Sequence, residues 1–394
     1  MSEAAPPKKA SKEAPEPDEE ELATSLHNSD VCEKYRVAAK IVNKVLVAVA
    51  ELSVAGALVI DLCKAGDELV AAECANIYNK KVKGEPIEKG LAFPTCVSIN
   101  ECVCHNSPLA SEEQPPVKDG DVVKIDLGCY IDGYIAVGAH TTVVGDQPTA
   151  AKPMVGPFAD CITAAHIASE VATKMVKPGN TNQQVTAAIN NVAKTFGVNC
   201  VAGCLSHQMK RYIIDGNKTI ILKEDVEQQV EDHAFAVNEV YAIDVCMSTG
   251  EGTPREADMR TSVYKRSVDK QYRLKMRASR YLFNEVNAKH PTLPFTLRAL
   301  PDERQARMGV VECLKHDLMQ PYPVLYERAG DHVVHFKFTV LVLTSGTVRV
   351  TGLPFDSALY SSEKVPDDET AAILAQSSKK KKKKKKKAAE GEKA

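Results

Sequence analysis

The hairpin segment VVKIDLGCYIDGYIAV, residues 122–137, carries an aspartate where a metal ion could bind. Its Asp132-Gly133 dipeptide is a strong signal for a two-residue turn between antiparallel strands. That turn would place Asp126 opposite Ala139, with Val137 as its diagonal neighbour on the same face. An acid at this diagonal would let two carboxylates share one metal ion. The hairpin geometry therefore suggests a bimetallic site, but valine occupies the diagonal position and cannot serve as the second ligand.

Lys337 is a second residue of chemical interest, within the run HVVHFKFTVLVL that spans residues 332–343. Apolar residues occupy the even positions from 334 to 342, an alternation that predicts a β-strand. Lys337 lies on the other face of that strand, together with His335. From the strand pattern alone, we expect such a lysine to point to water from a half-buried sheet.

Twelve cysteines offer thiol ligands, but their spacing does not predict a metal site. Only Cys102 and Cys104, and Cys200 and Cys204, lie close together, and neither pair has the CxxC spacing of a zinc site. The N-terminus lacks the apolar core of a signal peptide, and no apolar run approaches the length of a membrane span. We therefore expect reduced, mostly buried thiols, no metal or other cofactor, and no membrane span.

The periodicity of apolar residues predicts an α+β protein with an irregular segment at each end. We expect residues 1–22 and 365–394 to be disordered and residues 23–364 to form the folded domain. The predicted elements are helices near 38–49, 58–75, 157–176, 182–196 and 265–320, strands within 91–144, 218–222 and 240–247, and a last hairpin that turns at 328–331 and contains Lys337. Helices segregated from a mostly antiparallel sheet are typical of the α+β class.

Two strand-like segments of the chain are similar to each other. They are VVKIDLG, residues 122–128, and VYAIDVC, residues 240–246. Each is an apolar run with one aspartate near its end, Asp126 in the first and Asp244 in the second. The similarity suggests that the domain consists of two related halves.

A lysine tract near the C-terminal end polarises the charge of the chain. Without its nine lysines, 41 basic residues stand against 52 acidic ones, and the net charge becomes −11 instead of −2. A basic tail on an acidic body favours an anionic partner, above all nucleic acid, or a nuclear or nucleolar address. The alternative is a solvated tail without a partner. The predicted phosphate-binding residues of the tail are Lys379, Lys380, Lys381, Lys382, Lys383, Lys384, Lys385, Lys386 and Lys387.

A second basic region is the segment SVDKQYRLKMRASRYLFNEV, residues 267–286. If it is a helix, Leu274 and Leu282 belong to an apolar stripe and the basic residues line another face. The alternative is a solvated basic face on an acidic body. No RNA-recognition or KH signature is present, so contact with RNA would use its backbone and shape. The predicted contact residues are Lys265, Arg266, Lys270, Arg273, Lys275, Arg277 and Arg280.

Five segments, in this order, resemble type 2 methionine aminopeptidases. They resemble still more closely the non-enzymatic eukaryotic relatives of those enzymes, the proliferation-associated family that binds an ErbB-family receptor. The segments are GLAFPTCVSINECVCHNSP, VVKIDLG with DGYIAV, GCLSHQMKRYIIDGNKT, NEVYAIDVCMSTG and HFKFTVLVL. The resemblance covers about residues 25–365 and the lysine-rich tail. It implies the pita-bread α+β fold, with two pseudo-symmetric halves around one pocket and a helical basic insert at about 251–330.

Carried over residue by residue, the aminopeptidase metal site is incomplete in this chain. The enzymes hold two divalent ions with two aspartates, a histidine and two glutamates. The matching positions are Asp126, Val137, His207, Asp244 and Lys337, and the two substrate-contacting histidines match His105 and Asp215. Valine cannot coordinate a metal, and an ammonium group repels divalent ions. The resemblance therefore implies a vestigial pocket without metal and no aminopeptidase activity.

The resemblance also implies partners. Members of the proliferation-associated family bind RNA and ribosomes through the insert, reside in the cytoplasm and nucleolus, and act in ribosome biogenesis, translation and growth control. We therefore expect this protein to bind the large ribosomal subunit and structured RNA, in the cytoplasm and the nucleus. The family also has receptor and transcriptional partners, but no residues here point to them. The segment ETAAILAQSS, residues 369–378, lacks the leucine pattern of the family's nuclear-receptor box.

Two other functions stay open. A single metal ion held by Asp126, His207 and Asp244 would leave a residual metal-dependent methionine aminopeptidase. A protein-interaction adaptor or transcriptional co-regulator would use the lysine tract only for nuclear targeting. Metal content with methionine release tests the first alternative, and ribosome co-sedimentation at graded salt tests the second.

Overall fold

The computed structural model describes residues 19–82, 84–145, 148–223, 229–257 and 259–376. Its helices are α1 (Glu19–Thr24), α2 (Ser29–Leu52), α3 (Val59–Ala75), α4 (Pro157–Met175), α5 (Asn182–Thr195), α6 (Arg277–Lys289), α7 (Glu303–Lys315) and α8 (Asp368–Leu374). Its strands are β1 (Lys89–Ile99), β2 (Cys102–Cys104), β3 (Val122–Ile131), β4 (Tyr134–Val143), β5 (Asn199–Cys200), β6 (Leu205–Met209), β7 (Thr219–Ile221), β8 (Val240–Ser248), β9 (Arg255–Glu256), β10 (Val263–Arg266), β11 (Phe295–Thr296), β12 (Met319–Tyr322), β13 (Leu325–Tyr326), β14 (Val333–Leu343) and β15 (Gly346–Arg349).

A large central sheet joins the two halves of the chain. Its strand order is β1-β3-β4-β14-β8-β6-β7, with β15 paired to β14 and β5 paired to β8. The two segments that are similar in sequence form β3 and β8, which lie on either side of the β4–β14 pair. The strands that carry the two aspartates therefore flank the β4–β14 pair on its two sides.

The Asp132-Gly133 turn sets the register of the first half. Both residues have positive φ angles, 54° and 77°, as a two-residue hairpin turn requires. Next to the turn Ile131 faces Tyr134, and further along the hairpin Asp126 faces Ala139. The register predicted from the sequence is therefore confirmed.

The two halves meet along a seam between β4 and β14. Within these described strands, two residue pairs are in ladder register. On either side of them, threonine side chains make the cross-strand bonds: Oγ1 of Thr141 accepts from the N–H of His335 at 2.8 Å, and Oγ1 of Thr339 accepts from the N–H of Val137 at 2.9 Å. Side chains therefore complete the hydrogen bonding that a longer ladder would supply.

Two helix pairs cover one face of the sheet. α2 and α3 pack on β1, β3 and β4, whereas α4 and α5 pack on β7, β8 and β14. Gly138 and Phe338 are opposite each other at the seam, so both face the same side. A Cβ atom on Gly138 would lie 2.9 Å from Val42 and 3.0 Å from Leu46 of α2, and Phe338 is buried in the apolar cluster that includes α4. The other face of the sheet is left for the pocket.

The last hairpin expected from the sequence does not form. The chain does turn, because the N–H of Asp331 donates to the carbonyl of Arg328 at 3.1 Å. However, β13 pairs with β2 and β9, and β14 pairs with β8 over nine residues. The first ten of the eleven residues of β14 are buried, so the strand needs neighbours on both edges. A two-residue strand cannot supply them.

The helical insert expected at 265–320 folds as two helices and a small sheet. α6 and α7 pack against each other, and β10 pairs with β11 and β12. α6 begins only at Arg277, because the carboxylate of Glu312 binds the backbone N–H groups of the two preceding residues and holds the chain extended there. Lys270 and Arg273 therefore lie before the helix and not on its basic face.

Parts of both terminal segments are helical, so the boundaries of the folded domain differ from 23 and 364. α1 begins at Glu19, and residues 1–18 lie outside the described residues. α8 forms because the side chain of Asp367 accepts from the N–H of Thr370, and Ile373 and Leu374 pack against the core. The lysine tract lies outside the described residues.

The cysteines are free and mostly buried. All twelve lie in the described part of the chain, all are free, and eleven are buried. Burial raises the pKa of thiols such as that of Cys63, to about 12, so this thiol stays protonated at neutral pH. None of the helices in the described residues combines the length and the apolar character of a membrane span.

Replacing Gly138 by valine is expected to lower the free energy of unfolding by about 1–3 kcal/mol, because the new atoms would enter space filled by Val42 and Leu46. Urea unfolding followed by circular dichroism measures the change. Val47→Ala is the control, because Val47 is 42% exposed on α2, the helix that carries Val42 and Leu46. It should change stability by less than about 0.5 kcal/mol. An unchanged stability of Gly138→Val would contradict the close packing of α2 on β4.

Candidate functional site

Four strands contribute one residue each to a row that crosses the sheet. Asp126 of β3 faces Ala139 of β4, Ala139 faces Lys337 of β14, and Lys337 faces Asp244 of β8. Residues directly opposite each other point to the same side of a sheet, here the side away from the helices. The alanine is small, so the long lysine side chain has room to reach between the two acids.

The ammonium group of Lys337 lies between both carboxylates. Its Nζ donates to Oδ2 of Asp126 at 2.6 Å and lies 3.0 Å from Oδ2 of Asp244. Asp126, Asp244 and Lys337 are 4%, 8% and 9% exposed. Nε2 of His335 contacts Oδ1 of Asp244 at 2.7 Å, and the ring of Phe93 lies 5.6 Å from Nζ. These residues form a buried ion cluster with an aromatic wall.

The ion cluster is charged at neutral pH. Burial disfavours the ammonium form, but the charges of Asp126 and Asp244 outweigh it and raise the pKa of Lys337 well above its ordinary value. Burial also disfavours the carboxylate of Asp244, but Lys337 and His335 outweigh that effect and lower the pKa of Asp244. Lys337 and Asp244 are therefore both charged across the neutral range.

The other pocket positions expected from the resemblance line the same cavity, which encloses about 230 Å³. Val137 belongs to its wall, His207 comes from β6, and His105 directly follows β2. Burial and then the charge of Lys337 lower the pKa of both histidines, that of His105 to about 4. Both imidazoles are therefore neutral at pH 7.

His105 has a defined tautomer. Its Nδ1 lies 3.0 Å from the carbonyl oxygen of Pro323, which can only accept a hydrogen bond, so Nδ1 carries the proton and donates. Its backbone has a φ of 64°, in the left-handed region that few non-glycine residues adopt. The imidazole packs against Phe93 and Tyr322, with ring centroids 5.9 and 5.4 Å apart.

The donor set does not fit a pair of divalent ions. The ammonium of Lys337 fills the space between Asp126 and Asp244, and Val137 offers no ligand atom. Among the described residues, no three His, Cys, Asp or Glu side chains are grouped so that they could hold a metal ion. Oδ1 of Asp126 and Nδ1 of His207 have no hydrogen-bond partner in this part of the chain. The space between the two acids of this small cavity is therefore already taken by a cation of the chain itself.

Two buried polar residues of this region were not among the expected site residues. His335 precedes Lys337 by two positions and shares its face, so the strand alternation could have identified it. Lys124 precedes Asp126 by two positions, is 1% exposed, and donates to the carbonyl of Asn100 at 2.7 Å. Burial lowers the pKa of Lys124 to about 8. Neither residue matches a metal-ligand position of the family, which is why the resemblance did not point to them.

The residues expected to contact nucleic acid fall into three groups: those that pair with other residues of the protein, those that are exposed, and those that lie outside the described residues. Lys265 pairs with Asp215 at the cavity, and Arg266 lies over the ring of Phe283 at 5.4 Å, so both are engaged within the protein. The exposed basic residues are Lys270, Arg273, Lys275, Arg277 and Arg280. The tract from Lys379 to Lys387 lies outside the described residues.

Replacing Lys337 by methionine is expected to lower the free energy of unfolding by about 3–5 kcal/mol at neutral pH, because two buried carboxylates lose their counter-charge. The pKa of Asp244 is depressed in the folded wild type, so its stabilising contribution exists above the ordinary carboxyl pKa of about 3.9 and is lost on acidification. The difference between the two proteins should therefore shrink below about pH 4. Urea unfolding at a series of pH values measures it.

The control adds Asp126→Asn and Asp244→Asn to Lys337→Met. This triple variant removes the charges that the lysine balances and should recover part of the lost stability. A Lys337→Met protein as stable as the wild type at neutral pH would contradict a charged cluster.

Known proteins with similar sequences show which family this chain belongs to. "Metallopeptidase family M24" matches residues 33–257. The "ERBB-3 BINDING PROTEIN 1" of Solanum tuberosum is 48% identical over 333 residues, which cover 84% of this chain and 84% of that protein. The "Curved DNA-binding protein" of Schizosaccharomyces pombe is 38% identical over 351 residues, which cover 88% of this chain and 90% of that protein.

A solved structure agrees with these relatives. The chain described as "Structure of a thermophilic Arx1" has a TM-score of 0.83 and 31% sequence identity, and the match covers 90% of this chain and 100% of that one. The two-halved pita-bread fold expected from the resemblance is confirmed. The chain belongs to metallopeptidase family M24 and, within it, to the family of ErbB-3-binding, proliferation-associated proteins.

Proposed function

We propose that this protein is a non-catalytic member of its peptidase family that binds ribosomes and structured RNA. The observation that carries the first part is the ammonium group of Lys337 within 3.0 Å of both Asp126 and Asp244. Two-metal hydrolysis needs ions about 3.5–4 Å apart that activate a water molecule. Here a lysine takes the place of those ions, and an ammonium group supplies no bound hydroxide. The fold alone does not imply a peptidase, because activity depends on the site.

The residual one-metal aminopeptidase is the weaker candidate. An ion bound by Asp126, His207 and Asp244 would require the ammonium of Lys337 to leave. That ammonium is buried against both carboxylates, and its raised pKa keeps it charged. At such distances a divalent ion and an ammonium group repel each other strongly.

The second part of the proposal rests on surface charge and not on the pocket. Lys270, Arg273, Lys275 and Arg277 are exposed where the chain enters α6. The sequence adds nine lysines in the tract 379–387. Each basic side chain that contacts a phosphate displaces a counterion, so the affinity falls steeply with salt. Such contacts recognise backbone and shape, which suits folded RNA and the large ribosomal subunit.

The family relationship supports this proposal. The relative from Schizosaccharomyces pombe is named for binding curved DNA, another phosphate polymer. The resemblance to proliferation-associated proteins implies a role in ribosome biogenesis and translation, in the cytoplasm and the nucleolus, and we include both in the proposal. The relative from Solanum tuberosum is named for binding ERBB-3, a partner to which we assign no surface here.

The wild-type protein is expected to purify without stoichiometric divalent metal and to release no methionine from peptides. Val137→Asp combined with Lys337→Glu restores carboxylates at the two positions that lack a ligand, and this double variant is expected to bind Mn²⁺. Elemental mass spectrometry after dialysis and calorimetric titration with Mn²⁺ measure binding in both proteins. Methionine turnover by wild-type protein loaded with Mn²⁺ or Co²⁺ would contradict a non-catalytic role.

Charge reversal of Arg273, Lys275 and Arg277 to glutamate is expected to weaken co-sedimentation with large ribosomal subunits by about tenfold or more at physiological salt, because phosphate contacts are lost. Truncation after Ser378 should also weaken it and make it less sensitive to salt. Arg280 is left unchanged because it donates to backbone carbonyls within the insert.

The matched control reverses the same number of exposed charges elsewhere, at Lys40, Lys80 and Lys81. It is expected to retain most of the binding. If the insert variant co-sediments as the wild type does, the insert is not the contact surface. If a protein without either basic region still binds equally well, the adaptor interpretation replaces RNA binding.

A further inference from the structure

The segment before α6 carries an exposed aromatic stack. The rings of Tyr272 and His316 are nearly parallel, with centroids 3.5 Å apart and an interplanar angle of 12°. Tyr272 is 37% exposed, although a tyrosine ring has a large apolar surface that burial would stabilise. His316 directly follows α7. The stack therefore joins the end of α7 to the segment that leads into α6.

Three contacts hold this segment in place without using the ring of Tyr272. Leu274 is 8% exposed and belongs to the apolar core of the insert. The carboxylate of Glu312 accepts from the two following backbone N–H groups at 2.8 and 3.0 Å. The guanidinium of Arg280 donates to the carbonyl of Lys275 at 2.7 Å. A fixed backbone presents the ring, so a ligand that stacks on it loses little free energy to ordering the chain.

Exposed cationic side chains are neighbours of the stacked residues in the sequence. Residues 270–277 include four cations and no acid, and Asp269, which directly precedes them, lies 3.9 Å from Lys270. His316 lies between two exposed residues in the sequence, Lys315 before it and Asp317 after it. Proteins bind unpaired nucleotides with this combination, in which bases stack on aromatic rings and cations contact the phosphates. A duplex alone would give the ring no base to stack on.

We infer that the Tyr272–His316 stack binds an unpaired base of folded RNA, in a bulge or a loop, while neighbouring lysines and arginines hold the adjacent phosphates. The inference rests on the proposed function, because it names the RNA feature that the insert recognises. The base stacks on the open face of Tyr272, and His316 supports the ring from the other side. Every base has a π-face, so this contact selects unpaired nucleotides and not a sequence.

The test uses the full chain and two RNA hairpins that differ by one bulged 2-aminopurine. Protein binding is expected to quench the fluorescence of the bulged base, because stacking on an aromatic ring quenches it. The bulged hairpin should bind about ten- to a hundredfold more tightly than the fully paired one. Tyr272→Ala should lose both the quenching and the preference. Tyr272→Phe, which keeps the ring, should retain both.

Salt dependence distinguishes this inference from the proposed function. Tyr272→Ala should weaken binding without changing the slope of log Kd against log salt, whereas Arg273→Gln should reduce that slope by about one. If Tyr272→Ala binds the bulged hairpin as the wild type does, with the slope intact, the stacking inference fails and RNA binding stands. If neither hairpin binds wild-type protein, both fail. Loss of ribosome binding by Tyr272→Ala, with both hairpins unaffected, would mean that the ring contacts protein and would overturn the inference.

Discussion

One buried ammonium group lies between two carboxylates at the centre of the sheet, and the arrangement of the two halves depends on these contacts. Asp126 and Asp244 come from strands of different halves, and a buried carboxylate without a counter-charge is strongly destabilising. Lys337 reaches both because Ala139 leaves room between them. In ladder register the seam between β4 and β14 is two residue pairs long, and this ion cluster and the flanking threonine bonds add further contacts across it.

The sequence predicts those parts of the site that depend on local chemistry. Asp132-Gly133 determines a turn and with it the register of Asp126, and strand alternation places His335 and Lys337 on one face. That alternation does not predict the burial of Lys337, because burial depends on two partners that are distant in sequence. Asp126 precedes Lys337 by 211 residues, and Asp244 belongs to another strand. The resemblance supplied the pocket positions, since it carries three-dimensional information that periodicity lacks.

Long-range contacts also explain the elements that sequence patterns misplaced. The sequence predicts the turn after β13 but not the partner of β14. This strand pairs with β8 and not with β13, because a buried central strand needs a long neighbour on each edge. The start of α6 depends on Glu312, a residue of α7 that binds the backbone before it. The insert also contacts the rest of the domain, because Arg298 of the insert donates to Asp67 of α3 at 2.6 Å. Its basic and aromatic surface is thus presented by a rigid support, separate from the pocket.

A cation that belongs to the polypeptide has no dissociation constant. In the metal-binding relatives implied by the resemblance, the charge at the centre of the sheet comes from ions that exchange with their surroundings. In this chain it is supplied at synthesis, in a fixed ratio of one lysine to each folded domain. The contacts of Lys337 with both carboxylates thus join the two halves without requiring a bound ion.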